Sequence, residues 1–506
     1  MLTALVLAAR CANYQDVFVG GNVYFTDADC YARMARARIC LQHPGRIIRH
    51  HDFENYPEGT TPHTTAPLDY LIVALSILLR PFTAQSLDLA GAVVSPLLAV
   101  IGGWFLWWWS RRMRFRYRGT LLILHALSPI LVHGAELGRP DHQSLLLVLV
   151  TVAVCAEWTQ SIEPSRRLSV VSGCAWALAI WVSAYEPLVL FVTVMLAVAL
   201  QDRQMFFGAG RRTNLIAFAL VIAIAALVEQ RVPSLSILDS RQLFANWAHS
   251  IGELQPVALT SALWFRWIGY LVALAPVLVW FAIRRRPRLT PAFILIVLTA
   301  TFALTMWQAR WGYFFTLFFV LALPPLLEPF EKAPVVWIAF GLSILPVLRE
   351  WDERLWPNES ETARRIEQRN ECVQLRGLAD TLAGPEVHAF LAPWWLSPAI
   401  AYWSGQPGIA GSSHESLNGI ADSARFYTST DARVSREIVS KRKVTWVFTY
   451  DAVRIEGNSL ALLSAPKPST PPVCYLLDRT PSLAPNFLRL AGQTAVAKIY
   501  RVAELK

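Results

Sequence analysis

The stretch LDLAGAVVSPLLAVIGGWFLWWWSRRMRFRYR, Leu87 to Arg118, decides the class of fold. From Leu87 to Trp109 a single charged side chain, Asp88, interrupts an apolar run. At 1.5 Å per helical residue that run is long enough to cross roughly 30 Å of hydrocarbon. It ends in three indoles, Trp107 to Trp109, which suit the membrane interface, and then in Arg111, Arg112, Arg114, Arg116 and Arg118. An apolar span closed by aromatics and arginines has one orientation, with the basic end in the cytoplasm.

The rest of the chain agrees with this reading. Its 506 residues are 54% hydrophobic and 16% charged, with a mean hydropathy of +0.38. Soluble chains carry roughly 25% charged residues, so disorder, fibres, coiled coils and a soluble multidomain enzyme are excluded. Further apolar runs fall near 119–133, 142–157, 168–184, 186–200, 214–231, 264–283, 290–307, 311–328 and 333–348. With the short stretch Met1 to Ala9 counted as the tail of another span, about eleven spans are expected. The net charge of +10 resides largely in clusters between runs, at Arg166 and Arg167, at Arg211 and Arg212, and at Arg284, Arg285, Arg286 and Arg288. That is positive-inside topology and not a nucleic-acid footprint.

Alternation from those clusters puts the loops 10–85 and 232–262, the turn 134–141, Tyr185 to Pro187, Gln308 to Arg310 and everything after residue 348 on the outer face. The expected architecture is a polytopic α-helical membrane protein, with a transmembrane domain over 1–348 and a soluble extracytoplasmic α/β domain over 349–506. In that domain Glu359 to Leu382 reads as a helix, Val444 to Thr449 as a strand and Ala465 to Pro472 as a loop. No internal repeat is seen. Seven cysteines at 11, 30, 40, 155, 174, 372 and 474 contain no CxxC, so spacing indicates neither a zinc site nor a disulfide framework.

The acidic residues of interest fall on the outer face. Asp27 and Asp29 precede a helical pattern, where they act either as caps stabilised by the helix dipole or in function. Asp141, in Arg139-Pro140-Asp141-His142-Gln143, sits at a membrane boundary, where a charge costs a few kcal/mol unless paired or solvated. Glu253 lies in Ser250-Ile251-Gly252-Glu253-Leu254-Gln255-Pro256, and Arg310 ends another span. Three acidic sites and one arginine on one face suit a divalent cation and a phosphorylated lipid. In His50-His51-Asp52-Phe53-Glu54-Asn55-Tyr56-Pro57-Glu58-Gly59 the Pro, Gly and Asn favour an ordered polar turn over a metal site. Glu186 in Tyr185-Glu186-Pro187 is expected in a structural ion pair rather than at a donor.

These motifs, in this order, resemble the catalytic subunit of oligosaccharyltransferase in its single-chain bacterial and archaeal forms, within the C superfamily of membrane glycosyltransferases. Asp29-Cys30-Tyr31-Ala32 is similar to the family's Asp-Gly-Tyr-Ala, Asp141-His142-Gln143 to its Asp-X-Asp-like motif, and Ser250 to Pro256 to its Ser-Val-Ser-Glu-X-Gln-Pro loop. Ala392-Pro393-Trp394-Trp395-Leu396 and then Tyr402-Trp403-Ser404-Gly405 run parallel to its Trp-Trp-Asp-Tyr-Gly region. The resemblance implies Asp29, Asp141 and Glu253 as catalytic residues and ligands of Mn²⁺ or Mg²⁺, with His142 as a weaker ligand. It implies Arg310 against the lipid diphosphate and Trp394 and Trp395 in the acceptor region, with Asp27 and Gln143 as subsidiary candidates.

Two departures stand out. Leu396 replaces the aspartate that recognises the acceptor hydroxyl and cannot accept that hydrogen bond. Gln143 replaces the second carboxylate of the Asp-X-Asp-like motif, which removes one anionic ligand. The implied function is inverting transfer of a sugar or oligosaccharide from a polyprenyl-diphosphate-linked donor to a protein, glycan or lipid acceptor, on the periplasmic side of a bacterial inner membrane. The alternatives are a monosaccharide transferase using a polyprenyl monophosphate donor and, from another class, a transporter or lipid flippase. Acids gathered at one face, with spans nearly free of charge, disfavour transport.

Overall fold

The computed structural model describes residues 1–201, 206–231, 241–285 and 291–503. The chain divides into two compact units: Met1–Gln15, Thr64–Gln230 and Glu253–Ser360 in the first, and Asp16–His63, Arg231–Gly252 and Glu361–Lys506 in the second. Arg286 and Arg288 of the last basic cluster, and residues 232–240 of the loop 232–262, lie outside the described residues.

The first unit is helical. Four of its described helices are long and apolar enough to cross a membrane: Ser86–Arg112, His142–Ile162, Ala209–Glu229 and the stretch Ala309–Leu327. The pair Ala333–Ser343 and Leu345–Leu355, bent by 45°, makes a fifth if it is one span. Arg118–Leu127, Tyr185–Gln201 and Ala292–Trp307 are apolar but shorter, and the expected count of about eleven spans included such helices. Another short apolar helix, Ala66–Leu79, lies within the stretch read as the outer loop 10–85. Asp69 breaks its apolar run, which leaves too short a signal to be seen in the sequence. Ala209–Glu229 leaves Leu215, Ile216, Leu220, Ile224 and Leu227 exposed, as a lipid-facing helix must. Gly312–Leu327, by contrast, is buried at every residue and forms the centre of the unit.

Two of the expected single spans are broken. The run 264–283 divides into Leu263–Ile268, a 3₁₀ turn Tyr270–Val272 and Ala275–Arg285. Gly269 causes the break: its φ is +95°, and a Cβ there would stand 2.5 Å from the Ser343 carbonyl oxygen. The run 119–133 divides into Arg118–Leu127 and Pro129–His133, because proline cannot continue the preceding helix's hydrogen bonding. The carbonyls orphaned at that break need partners in a medium without water. Arg10, itself buried, supplies them, donating to the carbonyls of Ala126, His125 (2.9 Å) and Leu131 (3.5 Å).

Three helices of this unit meet around a buried carboxylate. Glu157 accepts both Nη atoms of Arg211 at 2.8 Å, Asn214 Nδ2 at 3.0 Å and Ser172 Oγ at 2.6 Å. Gly173 makes the approach possible, since a Cβ there would lie 2.2 Å from the Asn214 carbonyl oxygen, and small residues set such close crossings in membranes.

The second unit is mixed α/β. Its four-stranded sheet runs in the order Phe390–Leu391, Trp446–Tyr450, Ala497–Val502, Leu488–Gln493. The first pair is parallel, with Phe390 opposite Trp446, and the other two are antiparallel, with Phe448 opposite Ile499 and Leu490 opposite Tyr500. The charged stretch from Glu359 is the helix Glu359–Asp380. A hairpin pairs Phe18–Val19 with Asn22–Val23. Gly20 and Gly21 turn it at φ +57° and +78°, the conformation of the turns that suit strand twist. All seven cysteines are free.

The Glu157 site yields a stability prediction. Glu157→Leu strands Arg211 as a buried unpaired cation and is expected to cost about 3–5 kcal/mol. The double variant Glu157→Leu/Arg211→Leu is expected to recover most of that loss. Thermal unfolding in detergent measures both.

Candidate active site

In the first unit, polar side chains stand at helix ends and in short turns. Asp141 caps the helix His142–Ile162: its Oδ1 accepts from the His142 backbone N–H at 2.7 Å and lies 2.6 Å from His142 Nδ1. Gln143 follows inside the first turn, buried, with neither amide atom hydrogen-bonded among the described residues. Glu253 sits in the 3₁₀ turn Gly252–Leu254. Its Oε1 accepts from Arg139 Nη2 at 3.2 Å and from the Tyr313 hydroxyl at 3.0 Å. His133 links the same two donors, with Nδ1 2.7 Å from the Tyr313 hydroxyl and Nε2 3.3 Å from Arg139 Nη1.

Arg310 lies in the 3₁₀ turn Ala309–Trp311, directly before the buried central helix. The Ala309 N–H donates to the Gln255 carbonyl at 2.8 Å, which ties this turn to the strand of chain after Glu253. Arg310 forms an ion pair with buried Glu186, as a structural pairing of Glu186 requires, and Ser183 Oγ donates to the other Glu186 oxygen at 3.2 Å. Glu253 and Asp141 also act electrostatically on Arg310. The first unit therefore gathers Asp141, His142, Glu253 and Arg310 of the expected residues. It adds Arg139, Glu186, His133 and Tyr313. The glutamate and arginine were visible in the sequence motifs, but no sequence signal assigned His133 or Tyr313, which reach the cluster only through helix packing.

In the second unit, Asp27 is the N-cap of the helix Ala28–Gln42, and its Oδ1 accepts from the Cys30 N–H at 2.9 Å. Capping by Asp27 leaves Asp29 in the first turn. The motif continues structurally: Tyr31 packs edge-on against Trp403 at 5.2 Å, and Arg38 lies over the Tyr402 ring at 3.8 Å. Burial pushes the Glu54 carboxyl up to about 7, with Arg36 opposing and Asp29 and Glu415 reinforcing the shift. His51 is buried in the ordered turn expected of its segment, with Nε2 3.2 Å from Thr60 Oγ1 and its ring stacked on Phe53 at 3.8 Å.

Trp394 packs against Trp247 at 6.1 Å, and Trp395 Nε1 donates to the Tyr450 hydroxyl. Leu396 is buried at the start of the helix Ser397–Ser404, so its side chain serves the core. A polar cleft of about 570 Å³ opens elsewhere in this unit, among Asn55, Glu58, Arg241, Asp422, Lys441 and Arg442. Its anchor is buried Arg442, which donates to Asp422 Oδ2 at 2.8 Å and to Asn55 Oδ1 at 3.2 Å and pairs with Glu58.

The fold is similar to that of solved membrane glycosyltransferases. It is similar to the oligosaccharyltransferase of Archaeoglobus fulgidus solved with a tethered acceptor peptide containing the NVT sequon, with a TM-score of 0.65 and 14% identity over 89% of this chain and 68% of that one. The archaeal oligosaccharyltransferase AglB from the same organism, in complex with an inhibitory peptide and a dolichol-phosphate, superposes with a TM-score of 0.65 at 15% identity, covering 91% of this chain and 70% of that one. ArnT from Cupriavidus metallidurans bound to undecaprenyl phosphate matches end to end, over 99% of this chain and 97% of that one, with a TM-score of 0.54 and 13% identity. No family model matches the sequence, and no curated protein does.

Asp422 gives a pH prediction. Burial opposes its ionisation, but hydrogen bonds from Arg442 and Lys441 overcome that and hold its carboxyl below the usual range. The stability it contributes is complete above the unfolded carboxylate value of about 4 and is lost as pH falls through the lower folded value. Thermal unfolding of wild type is expected to fall across that acidic window, and that of Asp422→Asn to fall less steeply.

Proposed function

We propose that this chain is a membrane glycosyltransferase that moves a sugar or oligosaccharide from a polyprenyl-diphosphate-linked donor to an extracytoplasmic acceptor, with inversion. The observation that carries this reading is the cluster of Arg310, Arg139, Glu253 and Asp141 at helix ends in the membrane unit. A lipid-linked donor keeps its tail in the bilayer, so its phosphate must be met at the ends of spans. Arg310, oriented by Glu186, supplies cationic stabilisation as the bond from the anomeric carbon to the phosphate oxygen breaks and that oxygen leaves with the electron pair. The acceptor attacks the opposite face of the carbon and gives up its proton, for which Asp29 is the proposed base. Trp394 and Trp395 are the proposed acceptor region. With Leu396 in place of an aspartate, recognition of a sequon hydroxyl is not part of the proposal.

Mg²⁺ or Mn²⁺ takes hard oxygen ligands, and Asp141 and Glu253, with the buried Gln143 amide oxygen and His142 as weaker donors, are the residues that would hold one. When bound, such an ion neutralises phosphate charge. We place the protein in a bacterial inner membrane with this chemistry on the periplasmic side, on the strength of the arginine clusters.

The end-to-end match to ArnT, solved with undecaprenyl phosphate, supports a second reading in which the donor is a polyprenyl monophosphate carrying one sugar. Purified protein incubated in detergent with each donor class separates them. Release of polyprenyl diphosphate is expected, and release of monophosphate alone moves the assignment to the second reading. Arg310→Ala and Glu253→Gln are each expected to slow release by about 100-fold or more. Absence of release from either donor by folded wild type would overturn both readings.

A further inference from the structure

A separate group of side chains in the second unit has the composition of a transition-metal site. His63 closes the first chain segment of that unit, and His414 and Glu415 lie in the 3₁₀ turn His414–Ser416. The Glu415 carboxylate is 5% exposed and stands between the two imidazoles. Its Oε1 accepts from the His63 backbone N–H at 2.6 Å and lies 2.7 Å from His63 Nδ1. Its Oε2 faces His414 Nδ1 at 3.6 Å, and is buried without a hydrogen-bond partner among the described residues. The two rings are 5.1 Å apart, and the three ligand atoms lie within 4.8 Å of one another.

A buried carboxylate oxygen short of donors is costly. A cation bound by Oε2 and the ring nitrogens removes that cost. Bonds of 2.0–2.1 Å in tetrahedral geometry bring ligand atoms to roughly 3.4 Å from one another. The approach required is small, and rotation of the half-exposed His63 ring accomplishes it. Two neutral imidazoles and one carboxylate suit Zn²⁺ and its neighbours in the first transition row, and disfavour Mg²⁺ and Ca²⁺, which take oxygen.

We propose that His63, His414 and Glu415 bind one Zn²⁺ ion in the second unit. The ion clasps the end of the first segment to a turn 352 residues further along the chain. Three protein donors leave a coordination position for water. The rival is a plain hydrogen-bonded pair of His63 and Glu415 with no metal bound.

The test uses the full chain in detergent, stripped by chelator and titrated with Co²⁺ as a spectroscopic probe and then with Zn²⁺ as competitor. One equivalent of Co²⁺ is expected to give a visible absorption band that Zn²⁺ abolishes. His63→Ala and His414→Ala are each expected to weaken Co²⁺ binding at least tenfold, while Asp141→Asn/Glu253→Gln leaves the band unchanged. Retention of the band by a folded His63→Ala/His414→Ala double variant, or its loss only in Asp141→Asn/Glu253→Gln, overturns the proposal. Wild type loaded with Cu²⁺ provides a readout that needs no variant: nitrogen couplings in its paramagnetic resonance spectrum are expected, and a spectrum from oxygen ligands alone overturns the assignment.

Discussion

An arginine in the interior of a membrane protein persists only where acceptors meet it, and pairing of arginines with carboxylates organises the first unit. Two versions of it occur. Around Glu157 the carboxylate is fully enclosed and receives four donors, so it is saturated and serves only to hold three helices together. Around Glu253 the side chain is one-third exposed, and the donors from Arg139 and Tyr313 both go to Oε1. The first arrangement spends its charge on packing. The second keeps an oriented carboxylate within reach of solvent, next to Arg310 and Asp141, which is what a site for a phosphorylated ligand requires.

Broken helices make the second arrangement possible. A continuous span would bury its backbone polar groups and present only side chains along its length. Pro129 and Gly269 interrupt spans and the turn Ala309–Trp311 joins two of them, and Arg10 and the Gln255 carbonyl satisfy backbone groups at the Pro129 break and at that turn. Irregular backbone at membrane depth is tolerated where protein supplies the missing partners. The same interruptions bring His133 and Tyr313 to Glu253.

The candidate residues differed in how readable they were. Asp141 and Arg310 stood out because they lie at the ends of apolar runs, where charge is costly, and Glu253 stood out because its loop, Ser250 to Pro256, resembles a family motif. Asp27 and Asp29 were ambiguous between capping and function, and the hydrogen bond from Cys30 N–H assigns the cap to Asp27. The triad His63, His414 and Glu415 was invisible, because His63 lies more than three hundred residues from the adjacent pair His414-Glu415 and each alone is an ordinary polar residue. The helix Ala66–Leu79 was missed for a related reason: an apolar segment of fourteen residues with an acid in its first turn does not rise above a loop in a search for spans.

The amino-acid sequence by itself determined that this is a polytopic helical membrane protein whose charged residues of interest lie between spans, because hydrocarbon excludes charge and unsatisfied backbone whatever the fold. It also determined the order of motifs that resemble a glycosyltransferase. Only the tertiary structure decided which spans break, which carboxylates are saturated and which remain available, and which distant histidines share a carboxylate. Those outcomes depend on the partners that each side chain meets, and such partners come from segments whose separation along the chain leaves no local trace.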